Sequence, residues 1–204
     1  MNTKNKNLAH VIKLCECAVL IALAVVLDYL SKFIFAFLEP FWPAGGGITL
    51  CMIPIVFISL RHGNIWGLGS ALVYSGIQML SGWYTPAGGL GVLILCILFD
   101  YVIAYTVLGG ASFVAKLFKN RLLGYGVGAF AVCFARFICG FISGVAVWNS
   151  WIAWEAFDNI WLYSLAYNAS YMLPNAVITA LLIVAICTVI DPKTLKRYPK
   201  KENV

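Results

Sequence analysis

Residues 136–175 read RFICGFISGVAVWNSWIAWEAFDNIWLYSLAYNASYMLPN. The stretch contains two apolar runs, and the first of them carries Arg136 and ends at Trp148. An aromatic loop with two acids, Glu155 and Asp158, joins the runs. Aromatic rings, hydroxyls and an amide gather where the second run begins, at Tyr163, Tyr167, Asn168 and Tyr171. The pattern predicts two helices joined by a loop, with one wall of a ligand site where they meet.

The rest of the chain is as apolar as this stretch. Of its 204 residues, 62% are hydrophobic and 11% are charged, whereas soluble domains carry about 25% charged residues. A chain of this composition cannot cover itself with polar surface, and several of its apolar runs approach or exceed the ~20 residues that cross a bilayer. The runs lack the alternation of a transmembrane barrel. We therefore predict an all-α integral membrane protein.

Glycine and proline clusters at 41–47 and 82–89 divide the apolar sequence, because such residues end helices. The first run continues through Asp28 and Lys32 without a cleavage site, which argues against a cleaved signal peptide. These two residues are spaced to pair on one helix face. We predict a single membrane domain over 1–204, with basic tails at about 1–10 and 191–204. Its six transmembrane helices are predicted at about 11–38, 48–60, 65–82, 91–116, 122–148 and 161–190.

The distribution of cations predicts the orientation of these helices. Of the 14 lysines and arginines, all except Lys32 and Arg136 fall on one side of the six-helix arrangement. The opposite loops hold acids instead. Cytoplasmic loops of membrane proteins are rich in Lys and Arg, so both termini are predicted to lie inside the cell.

Composition and motifs exclude several classes of function. The net charge of +6 follows from the topology, whereas nucleic-acid binding needs a basic face on a soluble domain. The seven cysteines make neither a CxxC pair nor a metal-ligand spacing, so we interpret them as buried packing thiols. The glycines at 45–47 lack the Lys-Ser/Thr of a phosphate loop, and no histidine lies near the acid Asp100. We expect no enzyme, no metal and no cofactor, with membrane lipid as the surroundings.

Asp100 and Arg136 are charged residues inside predicted membrane spans. Such residues are costly in a bilayer and face a cavity or a partner. In one interpretation they form a structural ion pair between the fourth and fifth helices. In the other, Asp100 faces a ligand cation, and Arg136 binds backbone carbonyls or another acid.

Aromatic residues surround Asp100 in the predicted arrangement. Trp148, Tyr163 and Asn168 enter from the same outer side, and Trp42 lies in an outer loop. Aromatic rings attract an organic cation through their quadrupole, and a carboxylate adds charge-assisted hydrogen bonds. The residue types therefore favour an aromatic organic cation as ligand. Tryptophans in outer loops are also typical of an interfacial aromatic belt, but for Trp42 the polar groups at similar depth favour the ligand site.

Several motifs along the chain resemble a known family. On the first helix the motif is ECAVLIALA at 16–24, and further along are GGGITL at 45–50 and MIP at 52–54. The fourth helix carries Asp100-Tyr101 followed by Ala104-Tyr105. The most specific motifs are Arg136-Phe137, Ser143-Gly144-Val145 with Trp148, and YSLAYNASYMLP at 163–174. Together they resemble the thiamine-specific substrate-binding subunits (S components, ThiT or YuaJ type) of energy-coupling factor transporters.

This resemblance implies a six-helix S-component fold that captures thiamine at the outer face of the bacterial plasma membrane. It implies a complex with a transmembrane coupling subunit and two cytoplasmic ATPases. The small-residue motif on the first helix, Ala18-xxx-Ala22, would dock that partner, because small residues let helices approach closely. The family's thiamine-binding positions fall here on Asp100, Tyr101, Trp148, Tyr163 and Asn168, with Trp42 and Tyr84 as loop positions.

The chain departs from the family pattern at a few places. Gly140 stands where the family usually has a histidine, the acid is Asp100 where the family may have glutamate, and Asn175 replaces a glutamate. We expect the missing ring at Gly140 to leave more room in the pocket. A thiamine precursor, or a related pyrimidine or thiazole compound, therefore stays open as the ligand. A ligand-free membrane scaffold is the alternative from another class.

Overall fold

The computed structural model describes residues 3–43, 45–82, 85–149 and 157–195, and every regular element in these ranges is helical. We number six longer helices α1 to α6 in chain order. A short 3₁₀-helix, Ala36–Phe41, follows the first of them. The helices are α1 Thr3–Ile34, α2 Met52–His62, α3 Asn64–Leu80, α4 Leu90–Ala115, α5 Arg121–Ala146 and α6 Ile160–Val189.

Four helices are long and apolar enough to cross a membrane. They are Asn7–Ile34 within α1, together with the whole of α4, α5 and α6. The all-α membrane class is therefore confirmed. By contrast, α2 has 11 residues and α3 has 17, so these two fall short of the ~20 residues of a full span.

The predicted boundaries of the first two helices were wrong. The first helix runs from Thr3 to Ile34 instead of from 11 to 38, so residues 3–10 of the predicted basic tail are helical. The second runs from Met52 to His62 instead of from 48 to 60. Residues 48–50 are not helical because neighbouring helices hold their backbone. Asn175 Oδ1 accepts from the Thr49 amide at 2.9 Å, and Ser31 Oγ accepts from the Leu50 amide at 3.0 Å. The other four helices lie within two residues of their predicted bounds at each end.

The short helix α2 lies at the centre of the fold. It contacts the other five long helices, and Met52, Ile55 and Ile58 are completely buried. A short helix that is apolar on all sides is stable only when other helices surround it. Six of the seven cysteines are also buried, all except Cys15, as expected of packing thiols.

Glycines bring the backbones of α3, α4 and α5 into contact. A Cβ added at Gly67 would meet the backbone carbonyl of Gly109, and a Cβ at Gly109 would meet Gly67. A Cβ at Gly128 would lie 2.7 Å from the carbonyl oxygen of Ala111. Small residues permit this separation between membrane helices. The position of α4 against its neighbours is therefore fixed by backbone contacts.

Charged residues cluster at one end of the helix bundle, which we call the basic end. Arg61 at the end of α2 binds both carboxylate oxygens of Glu16, at 2.7 and 2.6 Å, and donates to the Pro192 carbonyl at 2.9 Å. Lys193 Nζ donates to the carbonyl of Arg61 at 3.2 Å. This network joins α1, α2 and the segment after α6.

Candidate functional site

A cavity of about 740 Å³ opens at the other end of the bundle. Its volume lies within the range of about 300–1,000 Å³ that is typical of small-molecule sites. Asp28 of α1, which lines it, lies twelve residues after Glu16 of the basic end, or about 18 Å along the helix. Seven of the residues predicted from the sequence line the cavity, namely Trp42, Asp100, Tyr101, Gly140, Trp148, Tyr163 and Asn168.

Asp100 and Tyr101 lie in an irregular part of α4. Residues 97–102 form a π-helical turn between two α-helical parts, and such turns occur frequently at functional sites. The Asp100 carboxylate accepts a hydrogen bond from Trp148 Nε1 at 3.0 Å and a weaker one from Cys96 Sγ at 3.5 Å. Asp100 also lines the cavity.

Both interpretations of Arg136 made from the sequence were wrong. In the described part of the chain it forms neither an ion pair with Asp100 nor a hydrogen bond to a carbonyl or another acid. Its guanidinium instead lies over the ring of Tyr105, 4.0 Å from the centroid. This cation–π contact stabilises the charge without neutralising it, so the cavity contains an acid and a cation that are not paired.

Asn168 lies between α5 and α6, and 6% of its surface is exposed. Its Nδ2 donates to the Ser164 carbonyl at 2.9 Å, and its Oδ1 accepts from the Tyr171 hydroxyl at 2.8 Å. An amide can make further hydrogen bonds beyond these two. The side chain is therefore held in one orientation while it lines the cavity.

The expected extra room at Gly140 is not there. A Cβ added to Gly140 would lie 2.7 Å from Asn168 Oδ1, so the amide of Asn168 occupies the space beside the glycine. Gly144, one turn further on, is packed in the same way against the hydroxyl of Ser164. The two glycines let α6 approach α5 closely, and this approach positions Asn168.

Tyrosines of α6 form a continuous aromatic wall. Tyr163 and Tyr167 have centroids 5.5 Å apart, and Tyr167 meets Tyr171 edge-on at 5.9 Å. Trp42 extends the wall from the first loop, with its ring 6.1 Å from Tyr171 and its Nε1 donating to Ser170 Oγ at 2.7 Å. The loop tryptophan is thus attached to the cavity wall.

Sequence analysis missed a polar network on the α1 side of the cavity. Asp28 Oδ1 accepts from the Thr49 hydroxyl at 3.0 Å, and Oδ2 accepts from Gln78 at 3.2 Å. The predicted pair with Lys32 is confirmed at 2.8 Å. The sequence did contain a signal for this network, because Asp28 is an acid inside an apolar helix and such residues usually face a cavity.

Asn175 was noted in the sequence only as a departure from the family pattern, and its role is structural. It is completely buried. Its Oδ1 accepts from the Thr49 amide, and its Nδ2 donates to the Gly47 carbonyl at 2.8 Å. The side chain therefore holds the glycine-rich loop against α6, where the loop lines the cavity.

The other three predicted residues are Tyr84, Ala18 and Ala22. Tyr84 falls outside the described residues. Ala18 and Ala22 are both exposed on α1, away from the residues that line the cavity. Their exposure leaves the small-residue motif open on the helix surface.

The cavity combines a carboxylate, an amide and an aromatic wall. Rings arranged in this way attract the positive charge and the flat faces of an aromatic cation. A carboxylate that is partly hydrogen-bonded attracts the same charge, and the fixed amide recognises polar ring atoms. The geometry suits recognition of a ligand.

Comparison with known proteins gives consistent matches over nearly the whole chain. Residues 14–195 match the family described as thiamine transporter protein (Thia_YuaJ). The thiamine transporter ThiT of Bacillus subtilis (strain 168) is 30% identical over 196 residues, 92% of this chain and 95% of that protein. ThiT of Lacticaseibacillus paracasei is 26% identical over 192 residues, 88% and 89% of the two chains. The structure of ThiT from Listeria monocytogenes has the same fold, with a TM-score of 0.67 at 19% identity, and the match covers 87% of this chain and 94% of that one.

Proposed function

Because this chain belongs to the thiamine transporter (Thia_YuaJ) family, we propose that it is the thiamine-binding S component of a vitamin importer. The family inferred from the sequence motifs is thereby confirmed, and it is a family of transporters rather than enzymes. The observation that carries the assignment of the site is the cavity itself. It brings together, from α4, α5 and α6, the acid, the amide and the aromatic rings that the motifs predicted.

The proposed binding mode assigns each group a task. Trp148, Tyr163 and Trp42 contact the pyrimidine and thiazolium rings, and Tyr101 completes the wall. Asp100 complements the positive charge or the exocyclic amine, while Asn168 recognises polar ring atoms. Gly140 contributes by letting Asn168 approach α5, as the 2.7 Å spacing supports.

The proposed topology is a single membrane domain with six spans and both termini inside. The basic end supports this orientation, because it gathers Lys13, Arg61 and Lys193 on one side, as expected of a cytoplasmic face. The cavity then opens outward, where a vitamin is captured.

The proposed partners are a transmembrane coupling subunit and two cytoplasmic ATPases of the energy-coupling factor type. The exposed Ala18 and Ala22 support docking on α1, because small residues let a second helix approach closely. The chain alone would bind thiamine without pumping it.

Titration of the purified protein with thiamine tests this function. We expect quenching of tryptophan fluorescence at sub-micromolar ligand, because Trp148 and Trp42 line the cavity. Failure to respond to thiamine, with a response to a thiamine precursor or another pyrimidine, would assign the site to that ligand. No response to any of them would favour a scaffold.

A second experiment tests the partners. Ala18→Leu and Ala22→Leu should abolish co-purification with the coupling module while thiamine binding by the isolated chain is unchanged. The matched control is Val19→Leu, which enlarges an exposed neighbour on the same helix. Unchanged co-purification of the alanine variants would exclude α1 as the docking surface.

A further inference from the structure

Arg136 of α5 lines the cavity. Its Nη1 atom is buried and has no hydrogen-bond partner in the described part of the chain. A buried donor without an acceptor is destabilising, and more so when it is charged. The stack on Tyr105 covers the face of the guanidinium, whereas the donors lie at its edge. The Nη1 donor at the edge of the guanidinium therefore has no acceptor among the described residues, and a ligand could supply one.

Arg136 lies deep in the site. Two further cavity-lining residues of α5, Gly140 and Gly144, follow Arg136 at intervals of four, and Trp148 comes after the end of the helix. The space beside the two glycines is occupied by Asn168 and Ser164 of α6 rather than by a side chain of α5. Arg136 is ten residues before the end of α5 at Ala146, which is about 15 Å along the helix. Trp148, just beyond that end, is the residue that bonds Asp100.

The opposite charges of Asp100 and Arg136 restrict how a cationic ligand lies. The other described charged side chains that line the cavity are the paired Asp28 and Lys32 and the acid Glu39. A thiazolium ring is attracted by Asp100 and repelled by Arg136, so the cation belongs at the Asp100 end. The hydroxyethyl chain of thiamine is attached to that ring and carries its oxygen. Its flexible arm lets this acceptor extend from the cation toward a hydrogen-bond donor, whereas the pyrimidine nitrogens, which are acceptors too, are assigned to Asn168.

We propose that Arg136 is a ligand-binding residue that donates from its free guanidinium edge to the oxygen at the end of the hydroxyethyl chain. The oxygen is that of the hydroxyl group or of a phosphoryl group esterified to it, since both are acceptors for arginine. This inference rests on the proposed thiamine-binding function and adds a contact that the motif positions do not include.

The experiment measures the affinities of the full-length wild type and Arg136→Met for three probes. These are thiamine, an analogue with an ethyl group in place of hydroxyethyl, and thiamine monophosphate. We expect Arg136→Met to lose about tenfold or more in affinity for thiamine, as for a lost hydrogen bond from a charged donor. The ethyl analogue should bind the two proteins about equally. A loss confined to the monophosphate would assign the phosphoryl oxygen as the acceptor.

Two controls separate binding from folding. Arg121→Met makes the same change at an exposed arginine of α5 that does not line the cavity, so it should leave all three affinities unchanged. Arg136→Lys keeps the charge and replaces Arg136→Met if that variant does not fold. It should lose less affinity for thiamine than Arg136→Met does, and its affinity for the ethyl analogue should be unchanged. Equal losses for all probes, or no loss for any, would overturn the proposal. If the wild type itself does not bind thiamine, the proposed function fails first, and that result is seen before any variant is compared.

Discussion

The indole Nε1 of Trp148 donates to Asp100 Oδ2 across 3.0 Å, between the segment after α5 and the π-helical turn of α4. The bond links two residues that are 48 positions apart in sequence. It holds the aromatic ring against the acid at one end of the cavity. A cation that enters this site therefore meets a ring and a carboxylate in a fixed relation, which lowers the entropic cost of binding.

Asp100→Asn should weaken thiamine binding while the fold is retained. The amide keeps the size of the side chain and an acceptor for Trp148, but it removes the negative charge. We expect a loss of about tenfold to a hundredfold in affinity, the size expected for a hydrogen bond to a charged group. Isothermal titration with thiamine measures the loss, and thermal unfolding in detergent measures stability.

Asp158→Asn is the matched control for this substitution, because Asp158 is exposed and does not line the cavity. It should leave thiamine affinity unchanged. A ligand-free scaffold would behave differently, since Asp100→Asn would then lower the unfolding temperature and no thiamine binding would be seen in either protein.

Trp42→Ala should increase the rate at which bound thiamine leaves the site. Trp42 is attached to α6 through Ser170 and through an edge contact with Tyr171, so its loss opens the first loop. The lost cation–π and packing contacts suggest an increase of about tenfold. Stopped-flow fluorescence with excess unlabelled competitor measures the rate. Ser170→Ala removes only the hydrogen bond and should have a smaller effect, whereas an unchanged rate in Trp42→Ala would identify an interfacial belt residue.

Helix order and most site residues were predictable because their causes are local. Apolar runs, glycine and proline breaks and an acid inside a span are visible in sequence order. Trp42, Asp100, Trp148 and Asn168 were identified in this way, and the structure brings all four to one cavity.

Contacts between distant residues were not predictable. The start of α2 at Met52 depends on Asn175, 126 residues from Thr49, and local propensity carries no information about that bond. The stack of Arg136 on Tyr105 was likewise missed, because charge alone favoured an ion pair with Asp100. The space at Gly140 was misjudged for a related reason, since the residue that fills it comes from another helix.

Gly140→Ala should weaken thiamine binding even though the added group is only a methyl. Its Cβ would lie 2.7 Å from Asn168 Oδ1, so the amide must move away from the bond with the Tyr171 hydroxyl. We expect about a tenfold loss of affinity, as for one displaced buried hydrogen bond. Gly140→His should weaken binding further unless Asn168 finds a new position.

Gly69→Ala on α3 is the control for the glycine substitution. A Cβ there meets no described atom within 4 Å, and its affinity for thiamine should equal that of the wild type. Titration by tryptophan fluorescence compares the three variants. Tighter binding by Gly140→His would contradict this prediction. It would show that the Asn168 side chain moves away and that the imidazole occupies the vacated space.

Gly109→Ala should destabilise the protein by about 1–3 kcal/mol, the usual cost of overpacking a close contact. Its Cβ would meet the backbone of Gly67 in α3. A side chain can relieve such a clash by changing its rotamer, but a helix backbone cannot. Gly76→Ala is the matched control, because a Cβ there meets no described atom within 4 Å. Replacing an exposed helical glycine by alanine stabilises a helix by up to about 1 kcal/mol, so the two variants should shift the unfolding temperature in opposite directions. Thermal unfolding in detergent measures both shifts, and shifts of the same sign would show that α3 and α4 are not held together by their backbones at this point.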